Sequence, residues 1–290
     1  MKGLILAGGT GSRLYPATTS ICKQLLPIYD KPMIYYPISI LMLSGIRDIL
    51  LIVRPRDLSL FEDTLGDGSQ WGISIKYVQQ EKPNGLPEAY ILGEDFINGE
   101  SSTLILGDNF IYAQNLQNTM SKAIYEHSGA TIFSYHVSDP ERYGVLVSNA
   151  SGEIVDIVEK PKEKISNKAI PGVYMFDKDA PMIAKTLKPS MRGETEITDM
   201  IKYYMRNKKL KVVEFGRGTA WFDSGTSESL LYASQFVHTI QGRQGVAISC
   251  LEEIAYKMGY IDLNQLHNLY NKLKNSEYSK YLLHLLGIDK

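Results

Sequence analysis

A chain of 290 residues, 44% apolar and 22% charged, has the balance of a folded globular protein large enough for one sizeable α/β domain or two smaller ones. Its 31 Lys and Arg against 32 Asp and Glu leave a net charge of −1 with no block of like charges, which excludes the basic footprint of a nucleic-acid coat. No apolar run approaches the ~20 residues of a membrane span and the start lacks the pattern of a secretory signal, so a cytoplasmic protein without nucleic-acid or membrane partners is expected.

Short runs rich in Val, Ile and Leu alternate with helical patterns through the first two-thirds of the chain, the signature of βαβ units. Strands are predicted at Gly3–Ala7, Ile49–Val53, Ile73–Val78, Thr103–Leu106 and Thr131–His136. Between them Met33–Ser44, Leu58–Leu65, Pro87–Phe96 and Leu116–His127 read as helices. Gly144–Ser148 and Val155–Glu159, joined through the turn-rich Asn149–Gly152, suggest an antiparallel excursion. Further strands are expected at Gly172–Phe176 and Leu210–Phe215, with helices at Pro181–Leu187 and Glu196–Asn207. Beyond Thr226 the pattern is helical only: Glu228–Gln241, Leu251–Met258, Leu263–Leu273 and Tyr278–Leu285. The expected fold class is therefore α/β, a mainly parallel sheet flanked by helices, with a C-terminal helical appendage.

The stretch LILAGGTGSRLYP, residues 4–16, runs from an apolar strand into glycines. A dinucleotide fingerprint would need a third glycine where Leu14 stands, and a Walker loop would need a Lys-Ser or Lys-Thr pair that is absent. What remains is a turn free of side chains carrying Arg13, followed by a second cation, Lys23. Glycines let backbone N–H groups converge on phosphate oxygens, and a guanidinium grips two oxygens at once, so the pair suits a triphosphate. Asp108, in the Gly-Asp-Asn turn after the almost wholly apolar strand Thr103–Leu106, stands where open α/β sheets bind ligands, and its carboxylate is a suitable ligand for magnesium. Glu159 and Lys160 end another strand, offering a hydrogen-bond acceptor and a cation. Cys22 and Cys250, far apart and without metal spacing, are expected to be reduced thiols.

LAGGTGSRL at residues 6–14 and KQLLPI at 23–28 resemble the sugar-phosphate nucleotidylyltransferase family. The likeness continues through YDKPMIYYPI, LGDGSQWG, GLPEA, LGDN, DPERYGV, EKP, RGETEITD and WFDSGT, in order and over nearly the whole chain. It implies a Rossmann-like mixed sheet and a magnesium-dependent reaction of dTTP with glucose 1-phosphate, giving dTDP-glucose and pyrophosphate. By the same resemblance Arg13, Lys23, Lys160 and Asp108 are catalytic. Leu6, Gly8, Gly9, Gly11, Gln24, Gln80, Gly85 and Leu86 would hold the nucleotide, with Gln80 reading the base. Asn109, Gly144, Glu159, Lys160 and Ile170 would hold the sugar phosphate, and Asp108 with Asp223 the Mg²⁺.

The implied organisation is a nucleotidyltransferase domain over 1–226, with a nucleotide part to about residue 110 and a sugar-phosphate part beyond it, and a helical tail over 227–290. The tail further suggests a homotetramer with a second nucleotide-sugar site for dTDP-rhamnose as feedback inhibitor, in a pathway to that sugar. Two alternatives stay open: a uridylyltransferase using UTP, since uracil presents the same edge as thymine, and a non-catalytic nucleotide-sugar sensor on the same fold.

Overall fold

The structure, a computed structural model, describes residues 1–287. Its strands in chain order are β1 (Lys2–Ala7), β2 (Pro27–Ile28), β3 (Lys31–Pro32), β4 (Asp48–Val53), β5 (Ser74–Gln79), β6 (Ser102–Leu106), β7 (Phe110–Tyr112), β8 (Ala130–His136), β9 (Gly144–Ser148), β10 (Ile154–Glu159), β11 (Lys168–Ala169), β12 (Val173–Phe176), β13 (Leu210–Glu214) and β14 (Ala220–Phe222). A ten-stranded sheet follows the path β10-β9-β11-β8-β12-β6-β1-β4-β5, with β13 also paired to β8. Pairing is parallel for β1 with β4 and β6, for β4 with β5, and for β13 with β8. β12 runs antiparallel to both β6 and β8, which makes the sheet mixed.

Strand alternation sorts the core into two layers. Ile5 and Ala7 of β1 face the same side as Ile49, Leu51 and Ile105, against the helix Tyr35–Leu43 and the tail residues Leu251, Leu266 and Leu269. Leu4 faces the opposite side with Leu50, Leu104 and Ile132, under the helix Ile197–Arg206 and Tyr90. A smaller cluster of Ile28, Met33, Tyr36 and Phe110 seats Ala233 and Val237 of the helix Ser227–Gln244.

The helices after Thr226 are Ser227–Gln244, Leu251–Lys257, Leu263–Leu273 and Glu277–Leu285. Thr226 starts the first of them, its hydroxyl accepting from the Ser229 amide at 3.1 Å, and Asp262 caps Leu263–Leu273 in the same way at 2.8 Å. Buried Glu252 fastens the tail to the segment before β5 by accepting from Trp71 Nε1 at 3.0 Å, and ties two tail helices together by accepting from the Tyr278 hydroxyl at 2.6 Å. Both cysteines are free and buried, as expected.

One expected helix is divided. Pro87–Phe96 becomes Glu88–Leu92 and Glu94–Ile97, parting at Gly93, which packs so closely on the sheet that a Cβ there would lie 2.8 Å from the Ala89 carbonyl and 3.2 Å from Leu4. The short pairs β2 with β3 and β7 with β14 have no counterpart among the sequence-based strands. Strands of two or three residues carry too little alternation to register.

The hydroxyl of Tyr90 is buried without a hydrogen-bond partner among the described residues, whereas Tyr36 donates to the Ile28 carbonyl at 2.8 Å. Tyr90→Phe is therefore expected to leave stability unchanged or raise it, while Tyr36→Phe costs about 1 kcal/mol. Urea melts of the two variants check this, and a loss above about 1 kcal/mol for Tyr90→Phe would contradict it.

Candidate active site

Register brings several loops to one edge of the sheet. Leu6 pairs with Leu106, Ala7 with Val53, and Val53 with Gln79, so the chain leaves these strands side by side at Gly8, Gly107 and Gln80. This is the carboxyl edge of the parallel strands, where open α/β sheets bind ligands. Reversed β12 delivers its entrance to the same edge: the Leu106 amide donates to the Gly172 carbonyl at 2.9 Å, and the Ile170 amide to that of Gly144 at 2.8 Å. Gly144 in turn pairs with Glu159.

A cleft of about 210 Å³ opens there, lined by Leu86, Asp108, Asn109, Gly144, Glu159, Lys160, Ile170 and Asp223 among others. Eight residues chosen from sequence thus share one cavity. Asp108 forms an ion pair with the buried ammonium of Lys23, which joins the glycine loop's side of the site to the cleft. The Asn109 carbonyl oxygen accepts from the Gly172 amide at 3.0 Å and Trp221 Nε1 at 2.7 Å, while its amide nitrogen donates to Asp108 Oδ1 at 3.2 Å. Asn109 therefore fixes one oxygen of Asp108 as Lys23 fixes the other. Asp223 Oδ2 accepts from Arg142 Nη2 at 2.7 Å, and Arg142 Nη1 reaches Asp139 at 2.9 Å.

The remaining nucleotide-loop residues stand beside this cleft. Gly11 takes φ +66°, a left-handed turn that favours glycine, and its carbonyl accepts from Thr18 Oγ1 at 2.8 Å. Gly8 permits a close approach: a Cβ there would lie 2.1 Å from Gln80 Oε1. Gly9 is exposed, and Leu6 packs against the core from the strand end. Gln24 is buried beside Gly107, while Gly85 bridges to Thr195. Arg13 is exposed, its guanidinium so near the 223–226 loop that a Cβ on Gly225 would lie 2.7 Å from Nη2.

Glu159 titrates above the ordinary carboxylate range because burial penalises its charge, with Glu196 adding to the effect and Lys160 and Arg192 opposing it. Arg192 lies 3.5 Å away and Lys160 3.9 Å away. Burial also raises the Tyr143 phenol, and Asp223 nearby raises it further. Residue-by-residue sequence reading did not select Arg142, Tyr143, Arg192, Glu196, Thr198 or Trp221, all of which line the cleft. Their signal was present: each lies in DPERYGV, RGETEITD or WFDSGT, charge-rich or aromatic segments of the chain.

The donor set suits a hard divalent cation. Two carboxylates, Asp108 and Asp223, reach one cleft, and magnesium commonly takes one or two protein carboxylates together with phosphate oxygens and water. Among the described residues there is no group of three or more His, Cys, Asp or Glu that could hold a metal ion.

An α/β sheet with cations and two carboxylates at its carboxyl edge is an arrangement suited to phosphate-bearing ligands. The chain belongs to the family described as Nucleotidyl transferase, which matches residues 2–240, and it is an enzyme of that family. It is 51% identical over 281 residues to the glucose-1-phosphate thymidylyltransferase of Xanthomonas campestris pv. campestris, covering 97% of this chain and 95% of that one. With the protein of the same name from Neisseria meningitidis it shares 50% identity over 99% of both chains. A solved UDP-glucose pyrophosphorylase in complex with UDP-glucose matches with a TM-score of 0.72 and 26% identity, covering 82% of this chain and 98% of that one. No helix among the described residues is long and apolar enough to cross a membrane.

The raised titration of Glu159 gives a stability prediction. The folded state holds this proton more tightly than the unfolded chain, so stability falls as pH rises from the ordinary glutamate range through the raised value. Glu159→Gln is expected to melt higher than the parent at pH 7.5, with the difference shrinking near pH 4. Calorimetry at the two pH values checks this, and a variant that melts lower at pH 7.5 would contradict it.

Proposed function

We propose that the chain transfers a thymidylyl group from dTTP to glucose 1-phosphate, giving dTDP-glucose and pyrophosphate. The observation that carries this reading is the shared cleft, in which Asp108, ion-paired to Lys23 beside it, and the Arg142–Asp223 pair stand with Glu159 and Lys160. The names of the relatives at 50–51% identity supply the substrates.

A phosphate oxygen of glucose 1-phosphate is already anionic, so no base is needed to create the nucleophile. It attacks the α-phosphorus of dTTP in line: the new O–P bond forms as the bond to the β-phosphate oxygen breaks, and the electron pair leaves with pyrophosphate. The barrier lies in bringing anions together and holding them aligned, which fixed cations and positioning supply. Lys160 meets the sugar phosphate, Glu159 accepts from sugar hydroxyls, and Gly144 and Ile170 shape that wall. Arg13 and Lys23 meet the triphosphate, and Arg13 favours departure of pyrophosphate. Asp108 and Asp223 would hold Mg²⁺, which when bound supplies neutralising charge to the nucleotide phosphates.

The assembly belongs to the same proposal: a cytoplasmic homotetramer with a catalytic domain over 1–226 and a helical tail over 227–290 serving assembly and feedback by dTDP-rhamnose. Sedimentation showing only monomer at micromolar concentration would remove it. A uridylyltransferase is the second reading, favoured by the match to the UDP-glucose complex.

A panel crossing dTTP, UTP, dCTP and dATP with several sugar 1-phosphates, read by pyrophosphate release, separates these. We expect glucose 1-phosphate with dTTP to give the highest kcat/KM and UTP, which lacks the methyl worth ~1 kcal/mol and adds a ribose 2′-hydroxyl, to be used appreciably as well. A strong preference for UTP would overturn the thymidylyl reading, and no pyrophosphate with any pair would overturn transfer itself. Asp108→Asn and Asp223→Asn should each lower turnover by about a hundredfold or more while the fold persists. Each should also weaken nucleotide-dependent Mn²⁺ binding measured by electron paramagnetic resonance; unchanged binding in both would remove the metal role.

A further inference from the structure

Gln80 is 3% exposed at the end of β5, and a glutamine amide can face a base in either of two senses, with opposite consequences. Its Nε2 donates to Glu88 Oε2 at 2.6 Å. A carboxylate accepts hydrogen bonds and donates none, so chemistry fixes the assignment: nitrogen toward Glu88, oxygen away from it. The oxygen turns toward the nucleotide loop, since a Cβ on Gly8 would lie 2.1 Å from Gln80 Oε1.

Glu88 is itself held. Asn84 Nδ2 donates to its Oε1 at 2.7 Å, and the Asn84 amide donates to Oε2 at 3.3 Å. Asn84 in turn presents its carbonyl to the Thr195 amide at 2.8 Å and the Thr195 hydroxyl at 3.0 Å. The loop between Gln80 and Glu88 is thereby tied to the wall of the sugar cleft, to which Thr195 belongs.

We infer that Glu88 is a specificity-determining positioning residue, which locks the Gln80 amide so that its oxygen faces the nucleotide base. A locked oxygen accepts from the N3–H of an imide base, thymine or uracil. Cytosine offers an acceptor at N3, so the same oxygen repels it. With the lock released, the amide turns its NH2 toward the base and suits cytosine instead. The inference rests on the thymidylyl-transfer reading, through Gln80 as the residue that meets the base.

The test compares kcat/KM for dTTP, UTP and dCTP in the parent, Glu88→Gln, Gln80→Ala and the double variant. Glu88→Gln preserves volume but can donate as well as accept, which frees the Gln80 amide to turn. Its dTTP/dCTP ratio is expected to fall about tenfold or more, with the dTTP/UTP ratio and the KM for glucose 1-phosphate unmoved. In the Gln80→Ala background the same change should have no further effect on the ratio. An unchanged dTTP/dCTP ratio in Glu88→Gln, with a lowered one in Gln80→Ala, would overturn the role of Glu88 and leave the thymidylyl reading intact. An unchanged ratio in Gln80→Ala would show that Gln80 does not meet the base and would overturn the inference at its root. If Glu88→Gln melts well below the parent, Asn84→Ala, which loosens Glu88 from the other side, is expected to lower the same ratio, and its failure to do so would count against the lock.

Discussion

The ion pair between Lys23 and Asp108 joins the two halves of the site, because its members arrive on loops that follow neighbouring parallel strands. Lys23 is buried, and a buried ammonium is tolerable only with a charge partner and close packing around it. Asn109 locks the second oxygen of Asp108 and is locked in turn by Gly172 and Trp221. The carboxylate at the centre of the cleft is thus oriented by three elements that lie far apart in sequence. A reaction between two anionic substrates places the same demand, since charges must be set in position before the phosphates meet.

The sheet makes this possible by reversing strands beside its parallel half. Parallel strands β1, β4, β5 and β6 send only their carboxyl ends to the site, which supplies the glycine loop, the Asp108 turn and the loop after β5 that begins at Gln80. Antiparallel β12 adds the segment at its start, and the β9–β10 pair adds Gly144 opposite Glu159. The raised titration of Glu159 follows from this convergence: the carboxylate at the end of β10 is partly withdrawn from water.

Much of this was legible in the sequence. Apolar alternation located the strands that build the sheet, and the glycines with Arg13 and Lys23 pointed to a triphosphate site once the dinucleotide and Walker patterns failed. Asp108, Glu159 and Lys160 stood out because each follows or ends a strand, where the sheet's edge must lie. Pairing across long separations was not legible. Nothing local tells that Asp223 meets Arg142, that Asn109 caps Gly172, or that Glu88 holds Gln80; these contacts exist only after β12 reverses and the loops meet. Gly93 illustrates the converse, since a helical pattern over 87–96 is interrupted at a residue where the packing on Leu4 and Leu50 leaves no room for a Cβ.

The central claim is that the sugar phosphate attacks the α-phosphorus directly, with the protein contributing charge and alignment and no nucleophile of its own. Stereochemistry at that phosphorus tests it most directly. With the Sp isomer of dTTP thio-substituted at the α-phosphate, a single in-line displacement predicts the α-thio analogue of dTDP-glucose with inverted configuration at that phosphorus, read by ³¹P nuclear magnetic resonance. Retention would require two displacements through a covalent enzyme intermediate and would contradict the account.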